Sequence, residues 1–78
     1  MEEAIIQAAK YLGAGLAMIG AMGGGIGIGL SVHGAVNGMA RNPDTTGSLM
    51  TNMILGVAFS EAIAIYCLVI SFLILFVA

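Results

Sequence analysis

Two long stretches almost empty of charge constrain this chain more than any other feature. Between Lys10 and His33, the twenty-two residues Tyr11 to Val32 carry no charge. From Thr45 to Ala78, thirty-four residues hold one side-chain carboxylate, Glu61, at the seventeenth place. About twenty apolar residues coiled as a helix cross a hydrocarbon layer of about 30 Å, and a helix satisfies every backbone N–H and C=O within itself. Both stretches therefore read as membrane-spanning helices. The second, from about Leu49 onward, is roughly 40 Å or more in length at about 1.5 Å per residue, so its central third lies deep in the bilayer.

Composition removes the soluble alternatives. A soluble domain charges about a quarter of its residues; here 8% are charged and 60% hydrophobic, with a mean hydropathy of +1.11. Too few polar side chains exist to cover a globular core in water. Two basic residues against four acidic ones leave a net charge of −2 and no basic patch, which argues against nucleic acid as a partner. Cys67 is the only cysteine, so no intrachain disulfide can form. The residues show neither a metal-ligand cluster nor a nucleophile–base pair, so no cofactor, metal or self-sufficient enzyme is expected. The opening Met1-Glu2-Glu3 is acidic where a cleaved signal sequence is positively charged. No cleaved signal is expected.

The only polar cluster between the spans is Ala40 to Gly47, "ARNPDTTG". Pro43 disfavours helix at Asn42, Asp44 or Thr45 can cap a new helix, and Arg41 suits the negative end of the preceding one. The expectation is an all-α transmembrane hairpin: helix one over about 4–40, a loop over about 41–45, and helix two over about 46–77. Both termini then share one side of the membrane. Under the positive-inside rule Arg41 favours a cytoplasmic loop, with Lys10 as a counterweight.

Ten of the twelve glycines lie between Gly13 and Gly38, and Gly23, Gly25, Gly27 and Gly29 alternate. Each glycine inside a helix costs about 1 kcal/mol relative to alanine, so close packing must offset the loss. Glycines four apart let helix backbones approach closely in membranes, a spacing met by Gly20/Gly24, Gly23/Gly27, Gly25/Gly29 and Gly34/Gly38. Because two residues turn a helix by about 200°, the alternation clears two opposite faces, as suits a helix packed between identical neighbours in a closed ring. An ordinary small-residue interface is the plainer reading of the same run. A dinucleotide fingerprint is excluded, since the sixth position of a G-x-G-x-x-G started at Gly23, Gly25 or Gly27 is Ile28, Leu30 or Val32.

Glu61 is the remaining anomaly. An ionised side chain at the bilayer centre costs about 2.5–3.5 kcal/mol on insertion scales, and low-dielectric surroundings favour a carboxyl group's neutral form. Such a group holds a proton while facing lipid and releases it beside water or a cation. A protonated acid that merely hydrogen-bonds a neighbouring helix is the structural alternative, but an amide would serve that purpose more simply. Phe59, Ala62, Ile63 and Tyr66 share one helical stripe, and Glu61 lies about 200° round from Phe59. In a ring, the Glu61 of one copy therefore points toward the Phe59/Tyr66 stripe of the next. His33, near the loop, reads as an interfacial polar residue, and Met18, Met22, Met50 and Met53 read as packing.

Together the alternating glycines, the Arg41-Asn42-Pro43 loop and the "EAIAIY" of Glu61 to Tyr66 resemble the rotor-ring c subunits of F-type ATP synthases, over essentially the whole chain. The spacing agrees, with Glu61 twenty residues after Arg41. The resemblance implies a ring of identical hairpins, first helices inside and second helices outside, embedded in lipid. It also implies proton exchange at Glu61 as the ring turns against the a subunit, and contact of Arg41, Asn42 and Pro43 with the central stalk subunits gamma and epsilon. A bacterial plasma membrane with a cytoplasmic loop is the implied location. Protonated acids of the family donate to the carbonyl at the position of Phe59, near the Tyr66 hydroxyl; plain packing is an equal reading of Tyr66. Sodium-carrying members use a glutamine at the position of Ile28 and hydroxyls at those of Ala62 and Ile63. None of these three supplies an oxygen ligand, which implies H⁺ as the transported ion. The competing class is a small holin-like pore with Glu61 lining a water path, and a third is a structural membrane adaptor. A simple pore has no need of a rigid polar loop.

Overall fold

A chain with so few polar side chains can satisfy its backbone only by coiling, and it does so almost throughout. In the computed structural model, which describes residues 1–78, α1 spans Glu2–Ile19 and α2 spans Ala21–Arg41. A 3₁₀ turn then covers Pro43–Thr45, and α3 spans Thr46–Phe76. α1 and α2 form one limb of a hairpin and α3 the other, within an envelope of 64 × 17 × 7 Å. Glu2 and Glu3 open the first limb and Arg41 closes it, each charge complementing the helix dipole at its end. Both limbs are long and apolar enough to cross a membrane.

The first limb is not one uninterrupted helix. At Gly20 the hydrogen bonding tightens to three-residue steps: Gly20 N–H donates to Ala17 O, and Gly23 N–H to Gly20 O, each at 3.1 Å. Gly20 keeps helical angles, φ −59° and ψ −29°, so the limb continues in nearly the same direction. Nothing in the hydrophobic pattern signals this break.

The turn is built by backbone restriction. Asn42 leaves the helical region at φ −143° and ψ 83°, as the following Pro43 demands, while its N–H still closes on Gly38 O at 2.9 Å. Side-chain capping of α3 by Asp44 or Thr45 does not occur. Instead Thr45 Oγ1 donates back to Asn42 O and Thr46 Oγ1 to Pro43 O, both at 2.7 Å. A hydroxyl inside so tight a turn reaches the carbonyl three residues behind it and is no longer available to the N–H groups ahead.

The limbs meet along small residues. In the first, Gly20, Gly24, Gly27 and Ser31 recur at steps of four, three and four; in α3, Gly56, Ser60, Ala64, Cys67 and Ser71 recur at fours and threes. This 3–4 spacing keeps one seam facing its partner. A methyl group added at Gly20 would sit 2.8 Å from Cys67 Sγ, and one at Gly38 would sit 2.9 Å from Leu49 Cδ1. Ser71 Oγ donates to Ala14 O at 2.8 Å, a buried side-chain hydrogen bond between the limbs. Only four of the 78 residues are buried. A single hairpin therefore has almost no core of its own, and its apolar flanks require lipid or further chains.

Candidate functional site

Glu61 has fifteen residues of α3 on either side, about 22 Å of helix in each direction. Its placement follows from its neighbour. Ser60 points into the seam, where a methyl at Gly24 would lie 2.7 Å from Ser60 O and one at Gly27 would lie 3.0 Å from Ser60 Oγ. One residue on, the helix has turned by about 100°, which carries Glu61 out of the seam to an exposed flank. Its carboxyl group forms no hydrogen bond or ion pair within the chain. A mid-span acid is thus presented sideways, with every partner left to be supplied from outside the hairpin.

Phe59 and Tyr66 emerge on the opposite flank, 66% and 69% exposed. The structure does not bring them to Glu61 within one chain; it sets them back to back across α3. Each flank also carries an open groove. On the Glu61 side, α1 and α3 leave about 410 Å³ lined by Tyr11, Met18, Leu68 and Phe72 among others. On the Phe59 side, α2 and α3 leave about 320 Å³ lined by residues including Leu30, Ser31, Leu49 and Asn52.

The alternating glycines divide by role. Gly27 is taken up by α3 through Ser60, whereas methyls at Gly23, Gly25 and Gly29 would meet nothing within 4 Å. One of the two cleared faces thus serves the hairpin's own seam. The open glycines lie on the rest of the surface. Arg41, Asn42 and Pro43 are exposed together at the turn, and Arg41 has no acidic partner. His33 pairs with Asn37, one turn on, at 3.1 Å between Nε2 and Nδ2. Ile28 is half-buried on α2 and brings no polar group.

The spacing marks Gly24 as a close-packing glycine, through the Gly20/Gly24 pair, but not its partners Ser60 and Ala64, and sequence reasoning missed Ser71, which bonds α3 to the first limb. The signal was available in the 3–4 recurrence of small residues on both limbs, but the more conspicuous alternation of glycines obscured it.

The fold and site define a class: a helical hairpin with two limbs long and apolar enough to span a membrane, holding one unpaired carboxyl group midway along the second on an exposed flank. The sequence profile of the ATP synthase C-subunit family matches residues 12–74. The chain is 57% identical over 70 residues to the ATP synthase c-subunit of Dehalococcoides mccartyi, covering 88% of this chain and 92% of that protein. It is 49% identical over 74 residues to the mitochondrial ATP synthase subunit 9 of Schizosaccharomyces pombe, covering 95% of this chain and all of the relative. The mitochondrial subunit 9 of Yarrowia lipolytica is likewise 49% identical over 72 residues. The chain belongs to the ATP synthase c-subunit family. It is a rotor-ring component of the membrane sector, non-catalytic in itself, that takes part in proton translocation as one of a ring of identical copies.

Proposed function

We propose that Glu61 is the proton carrier of this chain, taking up and releasing one proton as the ring turns against the a subunit. The observation that carries the reading is the placement of the only mid-span acid on a flank where nothing in its own chain pairs with it. In a ring, the Glu61 flank of one copy faces the Phe59/Tyr66 flank of the next, so the neutral acid donates its proton to the Phe59 carbonyl region or the Tyr66 hydroxyl of its neighbour. Facing a water path or a cation, the same side chain is free to ionise. The lipid-facing part of the cycle excludes the charged form, because an ion at the bilayer centre costs about 2.5–3.5 kcal/mol or more. Rotation is thereby tied to protonation.

The exposed glycines Gly23, Gly25 and Gly29 accommodate the first limbs of neighbouring copies, and the Arg41-Asn42-Pro43 turn meets the gamma and epsilon subunits of the central stalk. The location we favour is a bacterial plasma membrane with this turn on the cytoplasmic side, on the strength of the bacterial relative and of Arg41. The ion is H⁺ rather than sodium. Hard cations need several oxygen ligands, and Ile28, Ala62 and Ile63 provide no side-chain oxygen around Glu61. Reaction of Glu61 with a hydrophobic carbodiimide, which attacks the protonated acid, tests both claims. Labelling should fall as pH rises and be indifferent to millimolar sodium at fixed pH. Strong protection by sodium would overturn the ion assignment, and failure of Glu61 to react would overturn the carrier role.

A further inference from the structure

The structure assigns Gly24 as a positioning residue for Glu61, an inference that rests on the carrier reading above. Gly24 is buried, and a methyl group built on it would lie 2.7 Å from Ser60 O, 3.2 Å from Ala64 Cβ and 3.6 Å from Ala64 N. Two of those three atoms are backbone. They are the acceptor and the donor of one four-residue helical step, and the turn they close encloses Glu61. The first limb therefore bears on the backbone of the very turn that carries the acid.

The other close approaches in the seam differ in kind. At Gly27 the nearest atom is the Ser60 hydroxyl, at Gly38 the tip of Leu49, and at Gly20 the Cys67 sulfur. Each is a side-chain atom, so the crowding there falls on a side chain before it reaches the α3 backbone. At Gly13 the nearest atom of α3 is 3.8 Å away, which leaves room for a methyl. Only at Gly24 does added volume have to displace the α3 backbone. Glu61 projects from that turn about 100° away from the seam, so displacement of the turn shifts its carboxyl group along the flank and changes its separation from the partners that a neighbouring copy supplies. Gly24 fixes where the acid is held and so helps to set the pH at which it loses its proton.

The test is carbodiimide labelling of Glu61 against pH in membranes containing the assembled ring, compared among the wild type, Gly24→Ala, Gly27→Ala and Gly13→Ala, with Glu61→Gln as the blank. The midpoint for Gly24→Ala should move by about half a pH unit or more, roughly a threefold change in the protonation equilibrium. Gly13→Ala should leave it in place, and Gly27→Ala should move it less than Gly24→Ala does. A midpoint for Gly24→Ala that coincides with wild type in assembled rings overturns the inference and leaves the carrier role standing. Labelling in Glu61→Gln as strong as in wild type shows that Glu61 does not react, and removes the carrier role and this inference with it. Should Gly24→Ala prevent ring assembly, Ala64→Gly decides the matter. It removes the methyl that abuts Gly24 without introducing a clash, lets the same turn settle, and should displace the midpoint; an unchanged midpoint there overturns the inference equally.

Discussion

The contact between Gly20 and Cys67 permits a quantitative test of the seam. A methyl at Gly20 would lie 2.8 Å from Cys67 Sγ, about an ångström inside an ordinary carbon–sulfur contact. Overpacking of this kind costs about 1–3 kcal/mol, against which alanine returns about 1 kcal/mol of helix propensity. Gly20→Ala should therefore destabilise the protein by about 1 kcal/mol. Cys67→Ala removes a half-buried sulfur and should cost about 1 kcal/mol through lost packing. In the double variant the new methyl occupies the space the sulfur has left, the propensity gain survives, and stability should return close to wild type. The expected coupling is about 2 kcal/mol, within the range seen for residues in contact. Loss of helical circular dichroism during SDS titration of the detergent-solubilised protein gives the four free energies. Additivity of the single changes to within about 0.5 kcal/mol would refute the contact.

The seam and the turn each yield a further test. Ser71→Ala should destabilise the hairpin by only about 0.6 kcal/mol, and by at most about 1.7 kcal/mol, the range for interhelical hydrogen bonds in membranes. Ser71→Leu, forced into a buried position, should prevent normal assembly, as judged by ring recovery in mild detergent. Replacing Asn42-Pro43 with Gly-Gly should leave membrane insertion intact while lowering ATP synthesis per proton moved, the outcome expected of the stalk contact proposed for this turn; unchanged coupling would make the turn a mere connector.

Much of this was legible in the residues because a membrane simplifies the problem. Two charge-poor stretches around Asn42-Pro43 define a hairpin with little ambiguity, since hydrocarbon leaves the backbone few alternatives. Glu61 stands out for the same reason, as the one group whose placement opposes the solvent. What was less legible depends on helix phase and close contact. The alternation of Gly23, Gly25, Gly27 and Gly29 draws attention to four residues of which only Gly27 meets α3. The seam runs instead through Gly20, Gly24, Gly27 and Ser31, and which of several overlapping glycine series faces the partner depends on α3's own small residues. The tightening at Gly20 has no counterpart in hydropathy. At the turn, local competition decided the outcome: the hydroxyls of Thr45 and Thr46 bond backward, so the capping expected of Asp44 or Thr45 is absent. The separation of Glu61 from Phe59 and Tyr66, by contrast, follows from 3.6-residue periodicity alone.

The central claim is that a titrating carboxyl group at position 61 couples ion movement to rotation, and Glu61→Gln tests it most directly. Glutamine preserves the size of the side chain and its capacity for hydrogen bonding but cannot exchange a proton. In membrane vesicles containing the complete synthase, with ring assembly verified at wild-type levels, the variant should make no ATP in response to an imposed proton gradient. Proton-driven synthesis at a rate comparable to wild type would contradict the account, since it would require the proton to cross the rotor without Glu61.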